Sequence, residues 1–306
     1  MSRPDFNLTN LEQRASNPDG TEGEGLSHKT GGIGGAGMVL VQVLELAPPS
    51  SMLVDGEPLG AAIVVHDLGD HGGRYDELAR ALSEAGLIVS LPDLRGHGKS
   101  EGPRGHIPGT PEPVRDIHNV REHVAYRMPG APSVVIGIGA GALFAVAYAK
   151  AHADEVSALV LAAPLLAPSF GEPKKAGLLG MFKKPGALSE CALGWSAEQL
   201  YTDAAAAAAW SSDERRGDMV TKRGAESLVS AARDAATGYK ALGKPTLVLA
   251  GSDDAIAPAA SVEAFAAELG AEFRAFEGRR HDLFRDAGND EVIAAVVDWV
   301  GAQILG

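Results

Sequence analysis

At 306 residues, with 45% hydrophobic and 22% charged content, the chain has the size and balance of one large or two smaller globular domains. A net charge of −13 argues against nucleic acid or a strongly anionic membrane as partner, and the single cysteine, Cys191, excludes an internal disulfide. No apolar run is long enough to span a bilayer, and "MSRPDFNLTN" lacks the apolar core of a secretory signal, so a cytoplasmic protein is expected.

Residues 1–36 are polar and glycine-rich and read as a disordered tail, because they carry too little apolar surface to offset the entropy of ordering. The cluster "KTGGIGGAG" lacks the preceding strand and following helix that a dinucleotide loop needs. From Met38, "MVLVQVLEL" alternates like a half-buried antiparallel strand. "AAIVV" (61–65) is the continuous apolar run of a strand covered on both faces. "RYDELARALSEAG" puts Tyr75, Leu78, Ala79 and Leu82 on one helical face, and "LIVSLP" (87–92) is the next strand. A helix follows Pro113, and "SVVIGI" then runs into a glycine turn and the helix of "AGALFAVAYA". "VSALVLAAP", "PTLVLAG" and "AEFRAFEG" complete the strands, with a helix from Pro258 between the last two and a final helix near 289–304.

Strands alternating with helices predict a mostly parallel sheet with helices on both faces. The exception, about 165–243, is alanine-rich and helical in pattern and holds no clear strand. It reads as a helical cap inserted into a single domain of residues 37–306.

The motifs "HGGRY", "DLRGHGKSEG", "LVLAGSDDAIAP" and "GRRHDLF" occur in order, and with them the chain resembles the α/β-hydrolases of the monoacylglycerol lipase and serine aminopeptidase S33 (lysophospholipase-like) group. The resemblance implies the α/β-hydrolase fold and a Ser–Asp–His triad with a backbone oxyanion hole. It places the acid at Asp254, with the adjacent Asp253 as an alternative that the spacing favours less, the base at His281, and the oxyanion amides at Leu68 and Ala140. The nucleophile position of the Gly-x-Ser-x-Gly turn falls on Gly139, between Gly137 and Gly141, so no acyl-enzyme can form there. Asp67 stands where the group usually has glycine, and its carboxylate would oppose the charge of an acyl-transfer transition state. Ile138 and Ala142 also depart from the pattern. "HDLG" and "GIGAGA" are similar to motifs of the N-Myc downstream-regulated family, non-catalytic members of the fold, over a small part of the chain.

His66 and His71 flank the oxyanion loop and read as holding it, and His97 as a turn residue. In "KKAGLLGMFKK" (174–184), Leu178, Leu179, Met181 and Phe182 sit between lysine pairs. The stretch reads either as a loop packed on the body or as a weak lipid-surface contact of the cap. No Cys/His cluster has metal-ligand spacing, and neither metal nor cofactor is expected. Two functional readings follow. One is a degenerate member that binds a small apolar or acyl ligand, or a partner of unstated kind, without serine-esterase chemistry. The other is a weak acyl-ester hydrolase in which His281, oriented by Asp254, activates water in the space left at Gly139.

Overall fold

The computed structural model describes residues 13–14, 27–35, 39–173 and 186–305. The stretch carrying Leu178, Leu179, Met181 and Phe182 lies outside them. Nine strands form one sheet: β1 (Gln13–Arg14), β2 (Ser27–Gly34), β3 (Leu40–Ala47), β4 (Gly60–Val65), β5 (Leu87–Pro92), β6 (Ser133–Ile138), β7 (Ala158–Ala162), β10 (Thr246–Gly251) and β11 (Glu272–Phe276). The spatial order is β1-β2-β3-β5-β4-β6-β7-β10-β11. Pairing is antiparallel as far as β5 and parallel from β5 to β11.

Helices α1 (Asp76–Glu84), α2 (Pro111–Arg127) and α3 (Ala140–Ala151) follow β4, β5 and β6, as parallel crossovers require. The alternation of side chains along each strand divides the core into two layers. On one face Leu78 and Leu82 of α1 and Val292 and Val296 of the C-terminal helix (Asn289–Leu305) pack with Val64, Val89, Ile136, Val160 and Leu249. On the other, Ile117, Val120, Leu143 and Phe144 of α2 and α3, with Val262 and Phe265 of the helix Ala259–Leu269, cover Ile63, Val135, Leu161 and Val248. This is why the central strands are buried at every position and largely apolar.

Two local expectations differ from the structure. Ser27–Gly34, expected within a disordered tail, is a strand paired along the whole of β3, with Ile33 buried. Its glycines give weak β propensity, but the open edge of β3 supplies a complete set of backbone partners. Between β7 and β10, where no strand was expected, β8 (Glu190–Ala192) and β9 (Met219–Thr221) form an antiparallel pair around buried Cys191 and Val220. Three residues are too few to show an alternating pattern. The rest of the described insert is helical, at Ala197–Leu200, Ala204–Ser212 and Lys222–Asp234. Among the described residues no helix is long and apolar enough to cross a membrane.

Candidate active site

The loops after β4, β6, β10 and β11 leave the carboxyl edge of the parallel sheet and converge on one point, the usual location of ligand sites in open α/β sheets. They carry Asp67, Gly139, Asp254 and His281. Between β6 and α3 stands a single residue, Gly139, at φ 54° and ψ −115°. That sharp, left-handed strand-to-helix turn is the conformation in which a nucleophile would be held. Gly141, one residue into α3, lies against the Val65 and His66 carbonyls, where a Cβ would collide with backbone. Its missing side chain lets the N-terminus of α3 approach the end of β4.

The space above Gly139 is occupied by the carboxylate of Asp67. Its Oδ1 accepts two backbone hydrogen bonds, from Leu68 N at 2.6 Å and from Ala140 N at 2.7 Å. These are the two amides expected to form the oxyanion hole. Its Oδ2 lies 3.1 Å from His281 Nε2. His281 Nδ1 in turn meets Asp254 Oδ2 at 2.8 Å, and Asp254 Oδ1 accepts from the amides of Ile256 and Ala257. Asp254 is buried and Asp253 is exposed, which separates the two candidate acids. Asp67, His281 and Asp254 thus form one line of side chains, all buried.

Both ring nitrogens of His281 face carboxylates, so the imidazole satisfies both as a double donor, in its charged form. Burial alone would disfavour that charge. The hydrogen bonds and negative charges of Asp254 and Asp67 outweigh it and raise the His281 pKa to about 10. Asp67 also lies at the N-terminus of α3, where aligned peptide dipoles favour an anion. The carboxylate was expected to oppose the oxyanion hole. The structure places it on the two amides expected to form that hole, because glycine at 139 leaves the room.

His66 fixes the backbone of this loop. The Leu94 amide donates to its Nε2 at 2.8 Å, so Nδ1 carries the proton and donates to the Asp67 carbonyl at 2.6 Å. Burial lowers its pKa to about 4, partly countered by the charge of Asp93, and the ring is neutral. His97 donates from Nδ1 to the Arg95 carbonyl, and burial lowers its pKa to about 3. His71 Nε2 pairs with Asp213 of the insert at 2.8 Å. The three histidines are buried among loop contacts.

A second polar network, with Arg74 and Asp282 inside the motifs "HGGRY" and "GRRHDLF" but no role assigned to them from sequence, joins the loop after β4 to the insert. Arg74 Nε lies 2.9 Å from Asp70 Oδ1, and its Nη2 donates to the Tyr201 hydroxyl at 2.7 Å. The Tyr201 hydroxyl donates to Asp282, next to His281, at 2.5 Å. Burial raises Asp70 to about 7 against the pull of Arg74. Trp195 of the insert sets its edge toward the His281 ring, with centroids 5.7 Å apart. A cavity bounded by Asp67, Ile138, Trp195, Tyr201, Trp210 and His281 holds only about 20 Å³, enough for one water. Across Trp195 lies a larger cleft of about 430 Å³, lined by Leu165, Phe170, Leu193, Gln199 and Ile256 among others.

The family model described as serine aminopeptidase, S33 matches residues 56–288. The chain belongs to that family of α/β-hydrolases. It is 28% identical over 286 residues to a monoacylglycerol lipase of Mycolicibacterium smegmatis, covering 90% of this chain and 97% of the relative. It is 34% identical over 111 residues to the monoglyceride lipase of Homo sapiens, covering 36% of this chain and 37% of that one. Among solved structures, a monoacylglycerol lipase of Paleococcus ferrophilus superposes with a TM-score of 0.72 at 24% identity, over 86% of this chain and 99% of that one. A carboxyl esterase of Bacillus coagulans gives 0.73 at 20% identity, over 90% and 99%. These likenesses bear out the fold and the monoacylglycerol-lipase-like grouping expected from the motifs.

Proposed function

We propose that this S33 family member has no serine-esterase activity and binds a small apolar or acyl ligand without turning it over. One observation carries the reading: the Asp67 carboxylate occupies the oxyanion hole above Gly139 and holds His281 as its ion pair. An ester carbonyl would have to displace a tethered anion from both amides. Hydrogen bonds to a charged acceptor contribute roughly 1.5–3 kcal/mol each, against about 0.5–1.5 kcal/mol for a neutral one. The carboxylate therefore wins the hole. The alternative, water activated by His281, needs a free imidazole lone pair, and both nitrogens are engaged by acids. It is the weaker reading for that reason.

The cavity beside His281 is too small for an acyl chain, so a ligand would use the cleft across Trp195, whose exposed lining is more polar than apolar and suits a polar head group beside the apolar walls of Leu165, Phe170 and Leu193. The likeness to monoacylglycerol lipases supplies the ligand class, and a cytoplasmic location goes with the same proposal.

Intact-mass measurement after excess fluorophosphonate should show no adduct, and p-nitrophenyl acetate should be hydrolysed no faster than in buffer. An adduct mapped to any serine would overturn the loss of esterase chemistry. A panel of medium-chain fatty acids and monoacylglycerols should raise the melting temperature by mass action, and Phe170→Asp should abolish the rise. No shift in the parent protein would overturn the ligand-binding half.

A further inference from the structure

At the far end of α3 from Gly139, about 17 Å along an ideal helix from Ala140, three side chains converge that the candidate active site does not use. His118 comes from α2, His152 caps the C-terminus of α3, and Glu155 lies in the 3-10 turn that follows. His118 Nδ1 is 3.0 Å from Glu155 Oε2, and His152 Nδ1 is 3.2 Å from Glu155 Oε1. The ligand atoms of the three residues lie within 4.8 Å of one another. The two imidazoles stack with centroids 4.2 Å apart, and Tyr148 stacks on His152 at 5.0 Å. The Tyr148 hydroxyl donates to Glu155 Oε2 at 2.5 Å.

We propose that His118, His152 and Glu155 form a binding site for a divalent transition cation of the zinc class. Two imidazoles and a carboxylate are the donors such an ion takes, whereas calcium and magnesium take oxygen. A tetrahedral ion with bonds of about 2.0–2.2 Å spaces its ligands roughly 3.3–3.5 Å apart. The two nitrogen–oxygen separations, each to a different oxygen of Glu155, are slightly short of that, and because an imidazole lone pair lies in its ring plane, one of the two nearly parallel rings must turn out of the stack for both nitrogens to face one ion. The ion takes the place of the hydrogens shared between each Nδ1 and Glu155, and the ring protons then reside on Nε2. Tyr148 orients the carboxylate as an outer partner, which metal ligands commonly have. The carbonyl end of α3 adds a favourable dipole for a cation.

Three protein ligands leave a fourth position for water or a ligand. His118 and His152 also line an open cleft of about 640 Å³ with Thr110, Arg115, Asn119 and Ala147, and the three side chains are 26–28% exposed, so an ion can enter. The spacing of His118 from His152 gives no metal motif in the sequence; α2 packing on α3 creates the cluster.

The test uses untagged full-length protein stripped with EDTA, then titrated with Zn²⁺ by calorimetry and with Co²⁺ by visible absorption. One saturable zinc per chain is expected, with a tetrahedral-type cobalt spectrum and a rise in melting temperature on adding zinc. Tyr148→Phe should weaken zinc binding about 10-fold, the lower end of what outer partners contribute. His118→Ala and Glu155→Gln should each weaken it more than roughly 100-fold, beyond that range. Glu155→Gln keeps the shape of the side chain, so it decides the matter if a histidine variant fails to fold by circular dichroism. Zinc binding by folded Glu155→Gln equal to the parent, or none in the parent, would overturn the site.

Discussion

Asp67 and Gly139 are sterically interdependent: a Cβ built on Gly139 overlaps the Asp67 carboxyl group. The absence of a side chain at Gly139 makes the room that the carboxylate fills. Neither departure from the family pattern makes structural sense alone. Together they place one buried ion pair, Asp67 with His281, above the turn at Gly139.

That coupling sets the behaviour of variants. Gly139→Ser alone must expel Asp67 and place a side chain at φ 54°, so a loss of about 1–3 kcal/mol is expected from the backbone strain before the lost ion pair is counted. Asp67→Gly in the same chain removes the overlap. A double-mutant cycle by urea denaturation should show a favourable coupling of about 0.5–3 kcal/mol. The double variant should also gain weak p-nitrophenyl acetate turnover, because serine then faces His281 with the two amides free. Strict additivity would show that the two positions do not compete for space.

Asp67→Asn should change the charge of His281 without emptying the hole. The amide oxygen can still accept from Leu68 and Ala140, while its NH2 donates to Nε2. His281 is then held as the neutral tautomer protonated on Nδ1 toward Asp254. Its pKa should fall from about 10, read from ring shifts in a proton–nitrogen NMR titration. An unchanged titration would assign the elevated value to Asp254 alone.

Stability should decline on both sides of neutrality, for different histidines. His281 is raised to about 10 in the folded protein, so its contribution is complete below its unfolded value of 6.5 and is lost as pH rises through 10. His66 and His97 are lowered to about 4 and 3, so the unfolded chain takes up protons first as pH falls below 6.5. Their share is lost progressively down to those values. Melting temperatures across pH should show the alkaline decline in the parent and a smaller one in Asp67→Asn. An identical alkaline limb in both would contradict the assignment.

Arg74→Met should be among the more damaging single changes outside the line of Asp67, His281 and Asp254. It leaves Asp70 and Asp282 buried without the guanidinium between them and cuts the link through Tyr201 to the insert. Removing one partner of a buried pair typically costs about 3–5 kcal/mol. Asp70, already raised to about 7, should shift higher, so the deficit should be larger at pH 8 than at pH 6. Urea denaturation at the two pH values checks both the size and the direction.

Much of the fold could be read along the chain. β4, β5 and β6 are buried at every position and apolar apart from Ser90 and Ser133, because both faces of those strands are covered, and Gly137 and Gly141 mark a turn where backbones touch. The resemblance to the S33 group implied Asp254, His281, Leu68 and Ala140 as site residues, and the structure brings the loops that carry them to one edge of the parallel sheet. What Asp67 does could not be read this way. Its carboxylate reaches the hole only because β4 and β6 are neighbours and position 139 lacks a side chain, a matter of volume between residues 72 positions apart. The network of Arg74, Tyr201 and Asp282 and the grouping of His118, His152 and Glu155 are likewise contacts between elements distant in sequence. Periodicity records which face of an element is buried. Which polar groups meet across the gaps, and therefore which protons and charges the site holds, was decided by the packing of loops and helices in three dimensions.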